Sequence, residues 1–372
     1  MPMNPFIFGR VVDTRHYCDR DSLEDSIAGR LISGQPMYLS GPRRVGKTSA
    51  IEHVRATQFK NNSFRVDLMA VKTPAEASTW FIEAWLNYEK KQRSFSKAID
   101  FLSSLNIDFT LLGQRIKIDS SNRIDQLSIE KILVRLDTKP KKGSPPFLIF
   151  FDEFQALLEL DQRDRYDFLG QLRKSIQHLK HVRIIYAGSV RHAMHEIFQH
   201  PDSPFYNSAD HLEVGPIDPP ERFRSFLTRK FKKGGRTVMK EIWEIIETIT
   251  HRNPSDMQRL CSAIWETSDI DSILDASSVE SGLERVFDHQ IGASQSIIEA
   301  CTALQKRVLI GIAYHGGESP TSRDFLTKIN HTSTSAVVKA LEAHIKRDTL
   351  RKEGKTYHFN NPFLREWLIR YQ

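Results

Sequence analysis

Residues 37–49 read MYLSGPRRVGKTS. A short β-prone run ends on Ser40, a glycine-bearing loop follows, and KTSAIEHVRA then takes up a helical spacing. Gly41, Pro42, Arg43, Arg44, Val45, Gly46, Lys47 and Thr48 fit the pattern GxxxxGK[ST] in full, with Ser49 next in line. Strand, loop and helix in that order make a phosphate cradle. Glycines let backbone N–H groups converge on phosphate oxygens, and the helix N-terminus adds a favourable dipole. Lys47 is expected to neutralise the β- and γ-phosphates of a nucleotide, and the Thr48 hydroxyl to ligate Mg²⁺. The pattern does not account for the two arginines. One would lean over the phosphates as a charge supplied in cis while the other turns outward to an acid or to DNA backbone. Which does which is not readable from the sequence.

A second element follows at FLIFFDEF, residues 147–154. An apolar strand ending in Asp152 and Glu153 suits a Walker B motif, with Asp152 holding Mg²⁺ and Glu153 orienting and polarising the attacking water. A carboxylate pair after a strand says little alone. Behind the loop at 41–48 it points to Mg·NTP binding, and one step further to hydrolysis. RIIYAGSVRHAM, residues 183–194, ends a further strand at Gly188-Ser189. Ser189 stands where a polar side chain reaches the γ-phosphate or the water, as a sensor. Arg191 either contacts nucleotide in a neighbouring subunit, in a homo-oligomer, or is a surface arginine at a helix start.

The 372 residues, 40% hydrophobic and 27% charged, are enough for two or three soluble domains. The formal net charge of +7 favours contact with nucleic acid or an acidic surface. Cys18, Cys261 and Cys301 stand far apart with no CxxC pair, so they read as reduced thiols in a cytoplasmic protein rather than as a zinc or disulfide framework. The start MPMNPFIFGR lacks the order of a signal peptide, and FLIFF is too short to span a bilayer, so no membrane partner is expected.

MYLS (37–40), FRVDL (64–68), FLIFF (147–151) and VRIIYAG (182–188) alternate with helix-like runs, the rhythm of a parallel sheet flanked by helices. One of those helices should bury Phe168, Leu172, Ile176 and Leu179. Residues 91–146 break the rhythm as an insertion with a hairpin around LGQ and an exposed loop at DTKPKKGSPP. After GPIDPP (215–220) helices take over, and VMKEIWEIIETI spaces Val238, Ile242, Ile245 and Ile249 for a buried stripe. The expected division is a core over 1–216, a helical lid over 217–298 and a last compact unit over 299–372.

That last unit reads as a winged helix. QKRVLIGIAYHGG is a helix stopped by Gly316 and Gly317, and TSRDFLTKI starts on N-cap candidates Thr321 and Ser322 and buries Phe325, Leu326 and Ile329. SAVVKALEAHIKRD puts Val337, Val338, Leu341 and Ile345 inward, leaving Ala336, Lys339, Ala340, Ala343, Lys346 and Arg347 outside. This small, basic face suits the major groove of double-stranded DNA. LRKEGKTYHF reads as a wing turning at Glu353-Gly354, with Arg351, Lys352 and Lys355 near phosphate. A charged outer face also suits internal packing or a protein partner. RKFKKGGR (229–236) adds a basic run, in which the single aromatic, Phe231, gives no specific sign of base stacking.

Taken in order, FGRVVDTRHYCDRDSLEDSI, GPRRVGKTS, FFDEFQ, YAGSVRHAM, HRNPSDMQRLCSAIW and HFNNPFLREWL resemble the archaeal-type P-loop ATPases of the AAA+-like STAND group, over nearly the whole chain. The resemblance implies an ASCE-type α/β core, a helical lid and a C-terminal winged helix, with ATP, ADP and Mg²⁺ as ligands. It implies that CDRDSLED borders the adenine through Asp19 and Arg20. It also aligns THRNPSDMQ with the family's Gly-Gly-x-Pro turn. There His251 and Arg252 replace the glycines, Pro254 remains as an adenine contact, and Arg252 either senses phosphate or caps a helix. The function implied is a nucleotide switch or weak ATPase that moves the winged helix toward DNA or a partner. The rival is a DNA-binding, scaffolding or defence-type regulatory module with a static nucleotide. A small-molecule kinase fits the motif order less well.

Overall fold

The computed structural model describes residues 3–105, 109–112, 115–118 and 126–372. It divides into one unit over Val11–Gly215 and a second made of the segment through Arg10 together with Pro216–Gln372.

The first unit is built on a five-stranded sheet. Its strands are β1 (Met37–Ser40), β2 (Ser63–Asp67), β5 (Phe147–Asp152), β6 (Val182–Ala187) and β7 (Asp210–Glu213), in the order β2-β5-β6-β1-β7. All neighbours pair parallel. The phosphate-loop strand β1 is thus separated from the carboxylate-bearing β5 by β6, the ASCE arrangement. A continuous apolar run is what a parallel strand covered on both faces requires. Leu148 and Phe150 join Met37, Leu39, Ile185 and the helices α1 (Asp21–Ser33) and α2 (Lys47–Gln58) on one face. Ile149 and Phe151 turn to the opposite face, with α3 (Pro74–Lys91), α5 (Gln126–Leu136), α6 (Gln162–Ile176) and α7 (Arg191–Gln199). The fifth strand, β7, carries the polar sequence DHLE and gives no apolar signal in the sequence.

The expected insertion contains α4 (Phe95–Ser104), an antiparallel pair β3 (Phe109–Leu112) and β4 (Arg115–Ile118), and α5. The hairpin's turn, Gly113-Gln114, lies outside the described residues. Helix α5 is part of the core, with Ile129, Ile132 and Leu133 buried against the sheet. On α6, Phe168, Leu172 and Ile176 are buried as expected, while Leu179 lies past the helix end and is only partly covered.

The second unit is mainly helical: α8 (Pro220–Lys233), α9 (Glu241–Thr250), α10 (Pro254–Thr267) and the long α11 (Ala276–Glu299), with a two-residue pairing of β8 (Thr237–Val238) and β9 (Ile273–Leu274). The stripe of α9 differs from expectation. The helix starts at Glu241, so Val238 lies outside it, and Ile242, Trp243, Ile246 and Ile249 are buried while Ile245 is only half covered. Residues Asn4 to Phe8 form a strap on this unit. Asn4 Nδ2 donates to Ser262 Oγ at 2.8 Å, Phe6 packs 4.6 Å from Phe231, and the Lys230 ammonium caps the Pro5 carbonyl at 3.0 Å. Of the basic run at 229–236, Lys230 and Arg236 are engaged in such contacts, while Arg229, Lys232 and Lys233 are exposed. Phe231 is buried, and Arg236 lies flat on Trp265 at 3.8 Å while donating to the carbonyls of Gly234, Trp265 and Ser268.

Helices α12 (Ala303–His315), α13 (Arg323–Lys328) and α14 (Thr334–Lys346), the hairpin of β10 (Leu350–Glu353) and β11 (Thr356–Phe359), and α15 (Pro362–Tyr371) complete it as a winged helix. Gly316 ends α12 with a φ of 83°, and Ser322 rather than Thr321 caps α13. The wing turns at Gly354-Lys355, one residue later than expected, with Gly354 at a φ of 60°. The three cysteines are free thiols. No helix among the described residues is long and apolar enough to cross a membrane.

Candidate functional site

The loop between β1 and α2 has the shape its residues demand. Gly41 has a φ of 151°, and a Cβ there would stand 2.2 Å from the Val214 carbonyl oxygen, so no side chain fits. Gly46 takes a left-handed φ of 97° at the N-cap of α2. Arg44 also sits in the left-handed region, with φ 63°, which an L-residue adopts at some cost. Lys47, 7% exposed, folds back so that its ammonium donates to the Gly41 carbonyl at 2.8 Å and the Pro42 carbonyl at 2.9 Å. Burial pulls its pKa down to about 8. Glu153 and Asp152 oppose that shift, while the positive charges of Arg43 and Arg191 add to it. Arg43 is thus the arginine of the pair whose charge bears on Lys47. Ser49 turns the other way, accepting from the Val12 N–H at 3.4 Å.

Thr48 Oγ1 donates to the Asp152 carboxylate at 3.1 and 3.3 Å, bringing the two expected Mg²⁺ ligands together. Burial raises the Asp152 pKa to about 6 even though Arg65, 2.7 Å away, works against the rise. Arg65 carries no motif. Its position follows from the β2–β5 register, which sets Arg65 opposite Phe150 and Asp67 opposite Asp152.

Glu153 leaves β5 with a left-handed φ of 53° and turns the chain into the short 3₁₀ helix Phe154–Glu159. Its Oε2 atom accepts from Ser189 Oγ at 2.8 Å and from Gln155 Nε2 at 2.5 Å. Oε1 accepts no hydrogen bond from the described residues. Gln155 also reaches Ser189 at 3.4 Å. The fit is tight, because a Cβ at Gly188 would stand 2.4 Å from Gln155 Oε1 and 2.3 Å from Met194 Sδ. Gln155 was visible in the sequence only as the last letter of FFDEFQ. Arg191 forms an ion pair with Glu213 at the edge of the sheet.

Arg20 is buried and braces the loop from behind, donating to the Val45 carbonyl at 3.1 Å and the Gly215 carbonyl at 2.7 Å. Asp19, largely exposed, faces His53 of α2.

In the second unit, His251 and Arg252 have φ values of 50° and 57°. The turn therefore keeps left-handed geometry without glycine, in the part of that region L-residues can enter. Arg252 does not cap a helix. Its guanidinium donates to the Ile217 carbonyl at 2.9 Å and to Asp218 at 2.5 Å, while Asn253 caps α10 and Pro254 is its first residue.

The winged helix redistributes the expected DNA residues. On α14 the inward stripe is Val337, Ala340, Leu341 and His344, and Val338 is exposed. Ala340 is therefore not on the outer face, because positions 337, 340, 341 and 344 lie on one side of a helix. His344 is fully buried, with Nε2 3.0 Å from the Gln305 carbonyl. Arg347 is turned to α12, donating to Gln305 Oε1 at 3.0 Å. Arg351 is held within the wing by Glu353 at 3.1 Å and the Phe359 carbonyl at 2.8 Å, and Lys352 lies 5.6 Å over Tyr357. Lys339 and Lys355 are exposed, with Glu342 on the same outer face as Lys339.

Comparison with known proteins agrees with this architecture. Residues 292–370 match a family model described as a probable winged helix domain. No curated protein matches the chain in sequence. Among solved structures, a Walker-type ATPase of Pyrococcus abyssi is similar, with 18% identity and a TM-score of 0.66 over 96% of this chain and 97% of that one. The ORC1 protein of Aeropyrum pernix, solved in complex with DNA, shares 12% identity with a TM-score of 0.50 over 95% and 93% of the two chains. The chain thus has the fold of the archaeal Walker-type ATPases, a parallel P-loop sheet with helices and a C-terminal winged helix.

Proposed function

We propose that the protein is an Mg²⁺-dependent ATPase acting as a nucleotide switch, with core, helical lid (217–298) and winged helix (299–372) as its working parts. One observation carries the reading. The buried lysine of a glycine-shaped loop, the hydroxyl–carboxylate pair of Thr48 and Asp152, and a carboxylate anchored on Ser189 meet at one end of a parallel sheet. These residues fit the ligands. Gly41 leaves the loop backbone without a side chain, the Lys47 ammonium meets phosphate, and a hydroxyl and a carboxylate are the hard oxygen donors Mg²⁺ prefers. Bound Mg²⁺ supplies charge neutralisation and orientation of the phosphates.

The chain's own residues do the rest. Lys47 releases its two carbonyls to a phosphate, and Arg43 adds positive charge to the same cradle. Ser189 and Gln155 hold Glu153 by Oε2, which leaves Oε1 to take the proton of the attacking water. Arg20 keeps the loop in shape, with the segment around Asp19 bordering the base. Pro254 and Arg252 are the lid's residues in this reading, and Arg191 reaches a neighbouring copy by exchanging its Glu213 partner. ATP binding that is lost in Lys47→Ala, and turnover lost in Glu153→Gln with binding kept, are the expected results in calorimetry and phosphate release. Wild-type protein that binds no adenine nucleotide with Mg²⁺ refutes the reading.

The winged helix gives the switch its output, toward double-stranded DNA or a protein. The internal use of Arg347 and Arg351 favours a protein partner over a groove-reading helix, and leaves the exposed Lys339, Lys352 and Lys355 as the DNA candidates. A salt-dependent mobility shift with all three replaced by alanine separates the two outputs: unchanged DNA affinity removes the groove-reading role.

A further inference from the structure

His53 lies on the phosphate-loop helix, six residues after Lys47, in a setting that ordinary packing leaves unexplained. Its Nε2 atom is 3.7 Å from Glu24 Oε2 and 4.0 Å from Asp19 Oδ1, too far from either for a hydrogen bond. Nδ1 is buried and also has no partner among the described residues. A covered imidazole without any hydrogen bond is rare. The ligand atoms of Asp19, Glu24 and His53 all lie within 4.8 Å of one another.

A second side chain points to the same spot. Tyr17 is 8% exposed, its ring stacks 4.4 Å from that of His53, and its hydroxyl has no hydrogen-bond partner among the described residues.

We propose that Asp19, Glu24 and His53 bind one divalent transition-metal ion of the zinc class, clipping the segment before α1 to the phosphate-loop helix. A cation equidistant from three atoms so spaced sits about 2.5 Å from each, a few tenths beyond zinc–nitrogen and zinc–carboxylate bonds of roughly 2.0–2.2 Å. Small side-chain rotations close that gap. An imidazole among the ligands selects zinc-class ions over Mg²⁺ and Ca²⁺, which prefer oxygen alone. Three protein ligands leave a fourth position for water, which the Tyr17 hydroxyl is placed to bond. The coupling to the loop is direct: Glu24 Oε1 accepts from the Arg20 N–H at 2.5 Å, and the Arg20 guanidinium holds the Val45 carbonyl.

The test uses the untagged full chain, stripped with a chelator and free of nucleotide, titrated with Co²⁺ by visible absorption and with Zn²⁺ by calorimetry. One ion per chain is expected, with d–d bands and no thiolate charge-transfer band. His53→Gln and Asp19→Asn should each weaken binding about tenfold or more, while Asp152→Asn leaves it unchanged. Asp19 is exposed, so its asparagine variant keeps the fold, which melting curves verify. No one-to-one binding overturns the proposal. So does binding that survives both substitutions, binding lost in Asp152→Asn, which assigns the ion to the nucleotide site, or a thiolate band, which assigns it to a cysteine. None of these readouts depends on ATP, so the site stands or falls apart from the ATPase reading.

Discussion

Replacing Gly188 by alanine tests how the carboxylate of Glu153 is held. The new Cβ would stand 2.3 Å from Met194 Sδ and 2.4 Å from Gln155 Oε1, where ordinary contact needs 3.4–4 Å. Both neighbours must therefore retreat by about an ångström. Met194 is fully buried in the core and has little room. Gln155 moves more readily, and in moving loses its bonds to Glu153 and Ser189. Overpacking of this size costs about 1–3 kcal/mol. At about 2–4 °C per kcal/mol for a unit of this length, melting falls by roughly 2–12 °C. Turnover should fall about tenfold or more, because the carboxylate loses one of its two anchors. Nucleotide affinity, set by the loop at 41–48, should stay within about twofold. Circular-dichroism melting, steady-state phosphate release and calorimetric nucleotide binding measure the three quantities. A variant with wild-type melting and turnover would show that Gln155 does not pack on Gly188, and would remove the proposed anchoring.

The pKa of Lys47, lowered to about 8 from an ordinary 10.5, gives a pH dependence with a definite sign. Phosphate binding favours the charged lysine, so nucleotide affinity in calorimetry should fall as pH rises above about 8. The same depression means that burying the charged lysine costs stability in full below about pH 8, and the cost fades as pH rises toward 10.5. Arg20→Ala should leave the Val45 and Gly215 carbonyls without their donor. It should cost about 1–3 kcal/mol in denaturant titration and weaken nucleotide binding alongside. Phe6→Ala empties the space between Phe231 and Trp265 and should destabilise the second unit by about 3 kcal/mol, seen as a lower melting transition with nucleotide affinity retained.

The fold was legible where one short segment contains both the signal and its consequence. GPRRVGKTS names its own geometry, since glycine at 41 and 46 and the helix start at Lys47 are local facts. Strands β5 and β6 announce themselves because burial on both faces forces an unbroken apolar run. Strand β7 escapes detection because an edge strand half open to solvent needs no such run. Sites assembled by register are harder. Arg65 reaches Asp152 only because β2 and β5 align, and Arg20 reaches Gly215 across 195 residues. On α14, alternation of small, charged and apolar residues allowed two inward stripes. The choice fell to the one that seats His344 against α12, and it carried Arg347 there too. The positive-φ turn at His251-Arg252 shows that a glycine pair is sufficient for such a turn and not required.

The strap of residues 4–8 bears on the order in which the chain is made. Asn4 waits for Ser262, a separation of 258 residues. The ribosome releases the strap ahead of the whole of Val11–Gly215, and only after both does its docking surface exist. Through that interval Phe6 has no apolar neighbour from its own unit. Closure of such a long loop is slow compared with local helix formation. Completion of the helical unit is therefore a late event in synthesis, and a bulky fusion placed ahead of Asn4 would act on that step before it acted on the finished protein.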